Sequence, residues 1–511
     1  MSAESYDQLP YPQISEVHTH PRIISAAAKS LGFTSPVDVE KCHVLELGCA
    51  TGVNIIAMAC ELPNSQFVGI DYSKEQVTFG NKIIEELGLD NITLEYASIT
   101  DIDESFGSFD YILAHGVYSW VPGEVKKKIF SVSNELLSAN GIAYISHNCY
   151  PNWHLTMVMR DMMKFHARLW DAPMEKVENA VKITELIADA MQTKPSIYSE
   201  MLNMVRKRYI GKDKSYIFHE FLEEINEPVL LHQFMENAAE NNLQFIGDTR
   251  FLRLSLNNYP AQVTDILDAF APTLIEKEQY IDFIYGMNFR RTMLCHKNVA
   301  LTAADSVEQF KSISLRNQAV KVQTQTMPSG QQMNKYTSKL DDTMTLDHPV
   351  TIIAMQNIIS SAPQPIAFSE LVEKTLEAIN DSKTAQMQSM DKNTIATTLA
   401  RWLKLAHSNG FVEMTTFTPS ISTTPGSHPK ASRFARYQAR SETTVTNLLH
   451  EAIQLDEFCR QLLTLLDGTA SKESLARKMS AVQPAAYPDS DIPAAIDKAL
   501  NRLATQAFLQ A

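Results

Sequence analysis

Two carboxylates and a glycine turn near the start of the chain have the types and spacing needed to hold a charged nucleoside. Glu46 interrupts the apolar run Val44–Leu47; the turn Gly48-Cys49-Ala50-Thr51-Gly52 follows at once, then a helical pattern over Val53–Cys60. Strand, glycine turn and helix put a ligand at the carboxyl end of the strand, beside the helix N-terminus. A second apolar run, Phe67–Ile70, ends in Asp71, nineteen residues beyond Gly52, where a carboxylate accepts hydrogen bonds from a ribose. A dinucleotide fingerprint fails here, because the middle position, which needs glycine, holds Ala50, and the last, which needs glycine or alanine, holds Val53. Glu46 would oppose a pyrophosphate and suits an ammonium or sulfonium group. The ligand implied is a nucleoside that carries positive charge.

S-adenosylmethionine meets that description, and Val44–Gly52 with Asp71 resembles the first two motifs of the class I S-adenosylmethionine-dependent methyltransferases. Over nearly the whole chain the sequence resembles one subgroup, the bacterial methyltransferases with a regulatory domain, among them lysine methyltransferases of outer-membrane proteins. The cofactor set on this basis is Glu46, Gly48, Cys49, Ala50, Gly52, Asn54, Asp71, Tyr72, Ser98, Ile99 and His115. At Ser98 most class I enzymes place an acid for the adenine amino group; a hydroxyl can accept the same bond without charge. Tyr6, Tyr11 and His20 match a leader that the resemblance makes a lid over the cofactor, the alternative being an arm and helix packed on the sheet.

Two loops are loaded with groups that bind. The predicted fourth strand Phe109–Ala114 runs into His115-Gly116-Val117-Tyr118-Ser119-Trp120-Val121-Pro122, and the fifth, Gly141–Ser146, into His147-Asn148-Cys149-Tyr150-Pro151-Asn152-Trp153. His115, Tyr118, Trp120, Asn148, Tyr150 and Trp153 form the expected reaction pocket, since loops leaving neighbouring strands at one face meet there. Methyl transfer from a sulfonium needs alignment and exclusion of water more than a nucleophile or metal, and no metal site is expected. A lysine acceptor, with a pKa of about 10.4, must first lose a proton; burial among aromatic rings and a nearby cation both favour that loss. His115 is read either as a base or as a structural hydrogen-bonder. Asn148-Cys149-Tyr150-Pro151 resembles the asparagine–proline–aromatic motif of amine methylating enzymes, with residues intervening.

The elements that must position these groups follow from pattern and length. A chain of 511 residues exceeds one core. The expected fold is α/β: a Rossmann-like class I methyltransferase domain, with a seven-stranded sheet and an antiparallel closing hairpin, plus helical insertions and C-terminal winged-helix-like α+β domains. The divisions are a lid segment over 1–38, the methyltransferase domain over 39–300 with insertions at 154–210 and 260–285, a linker over 301–345 whose alternation at Val320, Val322 and Thr324 could add a strand, a winged-helix-like domain over 346–445, and a helical or winged-helix-like domain over 446–511. Single helices are expected over His219–Asn241, Lys392–Asn409 and 450–466, with a hairpin opening at Gly410. The first insertion either covers the substrate cleft or makes a homodimer contact.

A net charge of −14 argues against a nucleic-acid partner. No run approaches the ~20 apolar residues of a membrane span, and MSAESYDQLPYP reads as no signal peptide, so a cytoplasmic location is expected. Six cysteines lie mostly in apolar runs without a C-x-x-C pair, as buried thiols do. The resemblance implies a protein partner, such as an outer-membrane or surface protein before export. Two other readings stay open: methylation of a small molecule or natural-product intermediate, and a non-catalytic cofactor-binding scaffold.

Overall fold

The computed structural model describes residues 8–11, 13–193, 195–250, 260–302, 306–326, 332–339, 341–381, 390–482 and 492–511. Seven strands make the main sheet: β1 His43–Leu47, β2 Gln66–Asp71, β3 Ile92–Tyr96, β4 Phe109–Ala114, β5 Leu137–Asn148, β6 Leu243–Asp248 and β7 Phe289–His296. Their order is β3-β2-β1-β4-β5-β7-β6. β1 to β5 run parallel and β7 runs antiparallel to both of its neighbours, which is the expected closing hairpin. Val44, Leu45, Leu47, Tyr111–Ala114 and Ile142–Ile145 are all buried, as strands covered by helices on both faces must be. Glu46 is the exception, a carboxylate buried in the central strand.

Register brings the chemistry to one edge. Glu46 stands opposite Gly69, Asp71 opposite Tyr96, and Asn148 opposite Phe289. The glycine turn after β1 carries three left-handed residues, Gly48 (φ 75°), Ala50 (φ 52°) and Gly52 (φ 74°). A Cβ on Gly48 would come within 2.6 Å of Val117 Cγ2, so packing as well as backbone angle keeps that position a glycine.

Helices Trp153–Ala167, Pro173–Met191 and Ile197–Tyr209 follow β5, and Ala261–Phe270 and Leu274–Tyr285 lie between β6 and β7. The single helix expected over His219–Asn241 is two, Lys214–Phe221 and Leu231–Glu240. Pro228 lies in the break, and the next N–H, that of Val229, donates to Asn148 O at 3.1 Å, tying the break to the end of β5.

The stretch 301–345, expected as a linker, holds strands. β8 Ser314–Asn317 is the middle strand of a small sheet with β12 Ile366–Ala367 and β13 Val412–Thr415, while β9 Ala319–Thr326, β10 Gln332–Ser338 and β11 Thr343–Leu346 form an antiparallel meander. The alternation at Val320, Val322 and Thr324 marks β9, but the rest of the meander offers little apolar face: Val320 and Val322 are exposed, and Tyr336 and Leu346 supply the buried side. β13, expected to open a hairpin, pairs instead with β8. Helices Pro349–Ser361, Phe368–Asn380 and Lys392–Ser408 pack on this sheet. Their apolar residues share one core with the methyltransferase sheet, from Ile24, Val44 and Ile56 through Leu315 to Leu399 and Val412.

In the last part β14 Thr444–Thr446 pairs with β15 Ala452–Gln454, so the helix expected from residue 450 begins only at Glu457, where Asp456 caps it by accepting from Cys459 N–H. Helices Glu457–Thr464, Lys472–Val482 and Ile492–Thr505 enclose a separate core around Leu462, Leu475 and Leu500.

Candidate active site

The carboxyl ends of β1, β2, β4 and β5, the N-terminal leader and the helices after β5 enclose a cavity of about 770 Å³. At one end Asp71 has its carboxylate fixed by two backbone donors, Ala50 N–H to Oδ2 at 2.8 Å and Ser73 N–H to Oδ1 at 2.9 Å. The left-handed Ala50 turns its N–H toward that carboxylate, which is a functional reason for a non-glycine residue to hold such an angle. Glu46 receives Asn54 Nδ2 on Oε1 at 2.7 Å. Its Oε2 is buried and has no hydrogen-bond partner among the described residues. Burial, with Asp71 nearby, raises the Glu46 carboxyl to about 7 against the pull of the Asn54 hydrogen bond. An acceptor held in that state is complementary to an ammonium group.

The leader lines the cavity through Tyr11, Gln13, Ile14 and Glu16, and joins this end through Glu16, whose N–H donates to Asn54 Oδ1 at 3.0 Å. Burial alone would raise the Glu16 carboxyl, but His18, Arg291 and His115 hold it down to about 2. His18 and His115 go the other way: burial, with the charge of Arg291 beside them, lowers them to about 3 and about 4. His115 is therefore a neutral imidazole, held through Nδ1 at 3.0 Å from the Tyr144 hydroxyl.

The far wall comes from the insertion and from β5. Trp153, Tyr209, Tyr216 and Glu220 line it together with Tyr11, whose ring centroid is 6.1 Å from that of Tyr216. Burial raises the Glu220 carboxyl to about 7, although Arg160 and Arg208 pull it down. Asn148 lines the floor, with Nδ2 donating to Asn226 Oδ1 at 3.0 Å and its backbone N–H to Ser119 Oγ at 2.9 Å.

Family models match the chain in three blocks: a methyltransferase domain over 38–216, a predicted methyltransferase regulatory domain over 213–296, and a PKMT C-terminal winged helix domain over 427–487. An uncharacterized protein of Rickettsia prowazekii, RP789, is 32% identical over 92% of this chain and 84% of its own length. A second from that organism, RP028, is 38% identical over 47% of this chain and 96% of its own. The solved structure of PKMT2 from Rickettsia typhi in complex with AdoHcy is similar over 98% of this chain and all of that one, with TM-score 0.84 and 27% identity. The chain belongs to the class I S-adenosylmethionine-dependent methyltransferases that carry a regulatory domain.

The residues of this methyltransferase fit the cofactor: Glu46 Oε2 offers an acceptor for its ammonium, and Asp71 a fixed carboxylate for its ribose. Tyr11, Glu46, Gly48, Cys49, Ala50, Asn54, Asp71, Tyr72, Ser98, Ile99, His115, Trp120, Asn148 and Trp153 from the sequence reading line the one cavity. Four do not. Tyr118 is buried in core, its ring 5.6 Å from Phe130 and 5.1 Å from Phe234. Tyr150 leaves β5 on the outer side and stacks on His154 at 4.0 Å. His20 caps the helix Pro21–Ser30 through Nδ1 and turns its other nitrogen to Glu61 at 3.4 Å. Gly52 supplies backbone geometry behind the cavity wall. Tyr6 lies outside the described residues. Sequence reading missed Glu16, Tyr209, Tyr216, Glu220, Asp248 and Arg291, which also line the cavity. Tyr216–Glu220 and Asp282–Thr292 lie within the regulatory-domain match over 213–296.

Arg290 anchors the second of these stretches, Asp282–Thr292. Its guanidinium is buried between Asp282 (2.7 Å) and Glu278 (2.8 Å), locking the helix Leu274–Tyr285 to β7. Its chain neighbours Asn288, Phe289 and Arg291 line the cavity wall.

Proposed function

We propose that this methyltransferase methylates lysine side chains of a protein substrate. The observation that carries the reading is the continuity of one cavity from Glu46 and Asp71 to a wall of Tyr11, Trp153, Tyr209, Tyr216 and Glu220. Aromatic faces attract a cation without holding it by fixed hydrogen bonds, and a carboxylate among them selects an amine over a hydroxyl or carboxylate acceptor. S-adenosylmethionine, when bound, supplies a methyl group already activated on sulfonium sulfur.

The protein's own part is to accept the ammonium, take its proton and orient the free amine. Glu220 has the environment to hold that proton on its carboxyl, since burial has raised it to about 7. His115, lowered to about 4 by burial, stays neutral and is the poorer base. Asn148 uses Nδ2 on Asn226 and keeps its side-chain oxygen as an acceptor for an amine N–H. The substrate we favour is an outer-membrane or surface protein methylated before export, met as an unfolded or exposed chain. Among the described residues no helix is long and apolar enough to cross a membrane.

Incubation of the enzyme with labelled S-adenosylmethionine and cell extract tests the reading. Label is expected in protein, on lysine after hydrolysis. Label confined to the small-molecule fraction would replace the acceptor class, and none at all with cofactor binding intact would leave a scaffold.

A further inference from the structure

The cofactor carboxylate is reached from the far end of the chain. The side-chain amide of Asn54 is held on both its nitrogen and its oxygen, Thr19 Oγ1 also lying 3.2 Å from Oδ1. Nδ2 donates to Glu46 Oε1 (2.7 Å) and to Thr19 Oγ1 (2.9 Å), while Oδ1 accepts from the backbone N–H of Glu16 (3.0 Å) and lies 2.9 Å from Nε2 of His450. A backbone N–H can only donate, so Oδ1 must face Glu16, and His450 must carry its proton on Nε2 to donate as well. That leaves Nδ1 of His450 bare, and it is indeed buried without a partner among the described residues.

His450 is held for this contact. Its backbone is left-handed (φ 58°), an angle that disfavours a residue with a Cβ. Asn447 braces the turn: its Oδ1 accepts from Leu449 and Glu451 N–H, both at 2.9 Å, and its carbonyl from His450 N–H at 3.1 Å. The same turn grips the leader, where Ser15 Oγ reaches His450 O at 3.3 Å and Thr446 Oγ1 at 3.1 Å.

His450 also stands with His20 and Glu61 in a group whose polar atoms lie within 4.8 Å of one another. A metal does not suit that group. His20 Nδ1 accepts from Arg22 N–H, so its Nε2 bears the proton turned toward Glu61. His450 Nε2 is committed to Asn54, and Glu61 is already paired with Arg22 at 2.7 Å. The group is a buried polar brace that does not line the cavity, joined to it through His450 and Asn54.

We propose that His450 is a positioning residue of the cofactor site: from the C-terminal half it fixes the Asn54 amide, which aims Glu46 at the ammonium of S-adenosylmethionine. The C-terminal part thereby completes a site built on the first strand, whatever the methyl acceptor.

Calorimetric titration of the full-length protein with S-adenosylmethionine tests this without any turnover. His450→Phe keeps the ring and removes the donor, and should weaken binding about fivefold to tenfold, the worth of one hydrogen bond. His450→Gln places an amide nitrogen near the Nε2 position and should recover most of that loss. With Asn54→Ala already present, adding His450→Phe should cost less than about twofold more, because the path is broken. Unchanged affinity in a normally folded His450→Phe, or losses that multiply in the double variant, would overturn the proposal. If the phenylalanine variant does not fold, His450→Asn replaces it: its amide falls short of Asn54, so affinity below that of His450→Gln is expected and equal affinity refutes.

Discussion

Asn54 donates to one oxygen of Glu46 at 2.7 Å, and the other oxygen of that carboxylate is buried without a partner. The pair is half satisfied in the free protein, and the cost falls on the charged form. Burial raises the Glu46 carboxyl to about 7, above the 4.5 of the unfolded chain. A raised carboxyl contributes stability that is full below about 4.5 and is lost as pH rises through about 7. Glu46→Gln, permanently neutral, should therefore melt higher than the parent at pH 8, by on the order of 3 kcal/mol at most, and near it at pH 5. The same variant should bind S-adenosylmethionine about a hundredfold more weakly, since its amide offers N–H groups to an ammonium. Melting curves at the two pH values and a titration check both halves.

Cofactor binding should release a proton. Below pH 7 much of the free protein carries its proton on Glu46, and pairing with an ammonium expels it. Affinity is expected to fall as pH drops from about 7 toward 5.5, approaching tenfold per unit. Calorimetry at pH 6 in two buffers of different ionisation heat would show the release, and Glu46→Gln should abolish it.

Tyr118 is predicted to be dispensable for chemistry despite its place in a loop that reads as active site. Its ring packs against Phe130 and Phe234, and its hydroxyl bonds to Asn237, away from the cavity. Tyr118→Phe should lose about 1 kcal/mol of stability and stay within about threefold of parental turnover. A hundredfold loss in a folded protein would return Tyr118 to the site.

The contrast between Tyr118 and Trp120 explains what the sequence can and cannot tell. Loop composition locates a site to within a few residues, but the short turn Tyr118–Trp120 sends one ring inward and leaves Trp120 on the cavity wall. Glu46, the glycine turn and Asp71 were legible because strand, turn and helix fix their geometry locally. Glu220, Arg291 and His450 were not, because each reaches the site from an element distant in sequence. Of the meander only β9 showed, through its alternation at Val320, Val322 and Thr324; β10 and β11 lack an apolar face that would mark their period.

Glu220 should act on the acceptor and not on the cofactor. It lines the cavity beside Tyr11 and Tyr216, whose hydroxyls its charge acts on. Glu220→Gln is expected to raise KM for a lysine-bearing protein by about tenfold, the loss of one charged hydrogen bond, with S-adenosylmethionine affinity within about twofold of the parent. Burial has raised this carboxyl to about 7, so parental kcat/KM should climb through that pH as the carboxylate forms. The climb should flatten in the variant, and an identical pH profile would remove Glu220 from proton transfer.

The Arg290 lock makes a prediction about stability that bears directly on the site. Its guanidinium is buried with Asp282 at 2.7 Å and Glu278 at 2.8 Å, and both carboxyls are pushed upward by burial while Arg290 draws them back. Removing one partner of such a group leaves buried charge uncompensated, which costs about 3–5 kcal/mol, whereas replacing all partners by apolar residues of similar volume is often neutral. Arg290→Met alone should be strongly destabilised in chemical denaturation. The triple replacement Arg290→Met, Asp282→Leu and Glu278→Leu should recover most of that stability. If the lock also sets Asn288, Phe289 and Arg291 on the cavity wall, the triple variant should still bind S-adenosylmethionine more weakly than the parent. A triple variant that is stable and binds as the parent does would show that the ion group holds the fold alone.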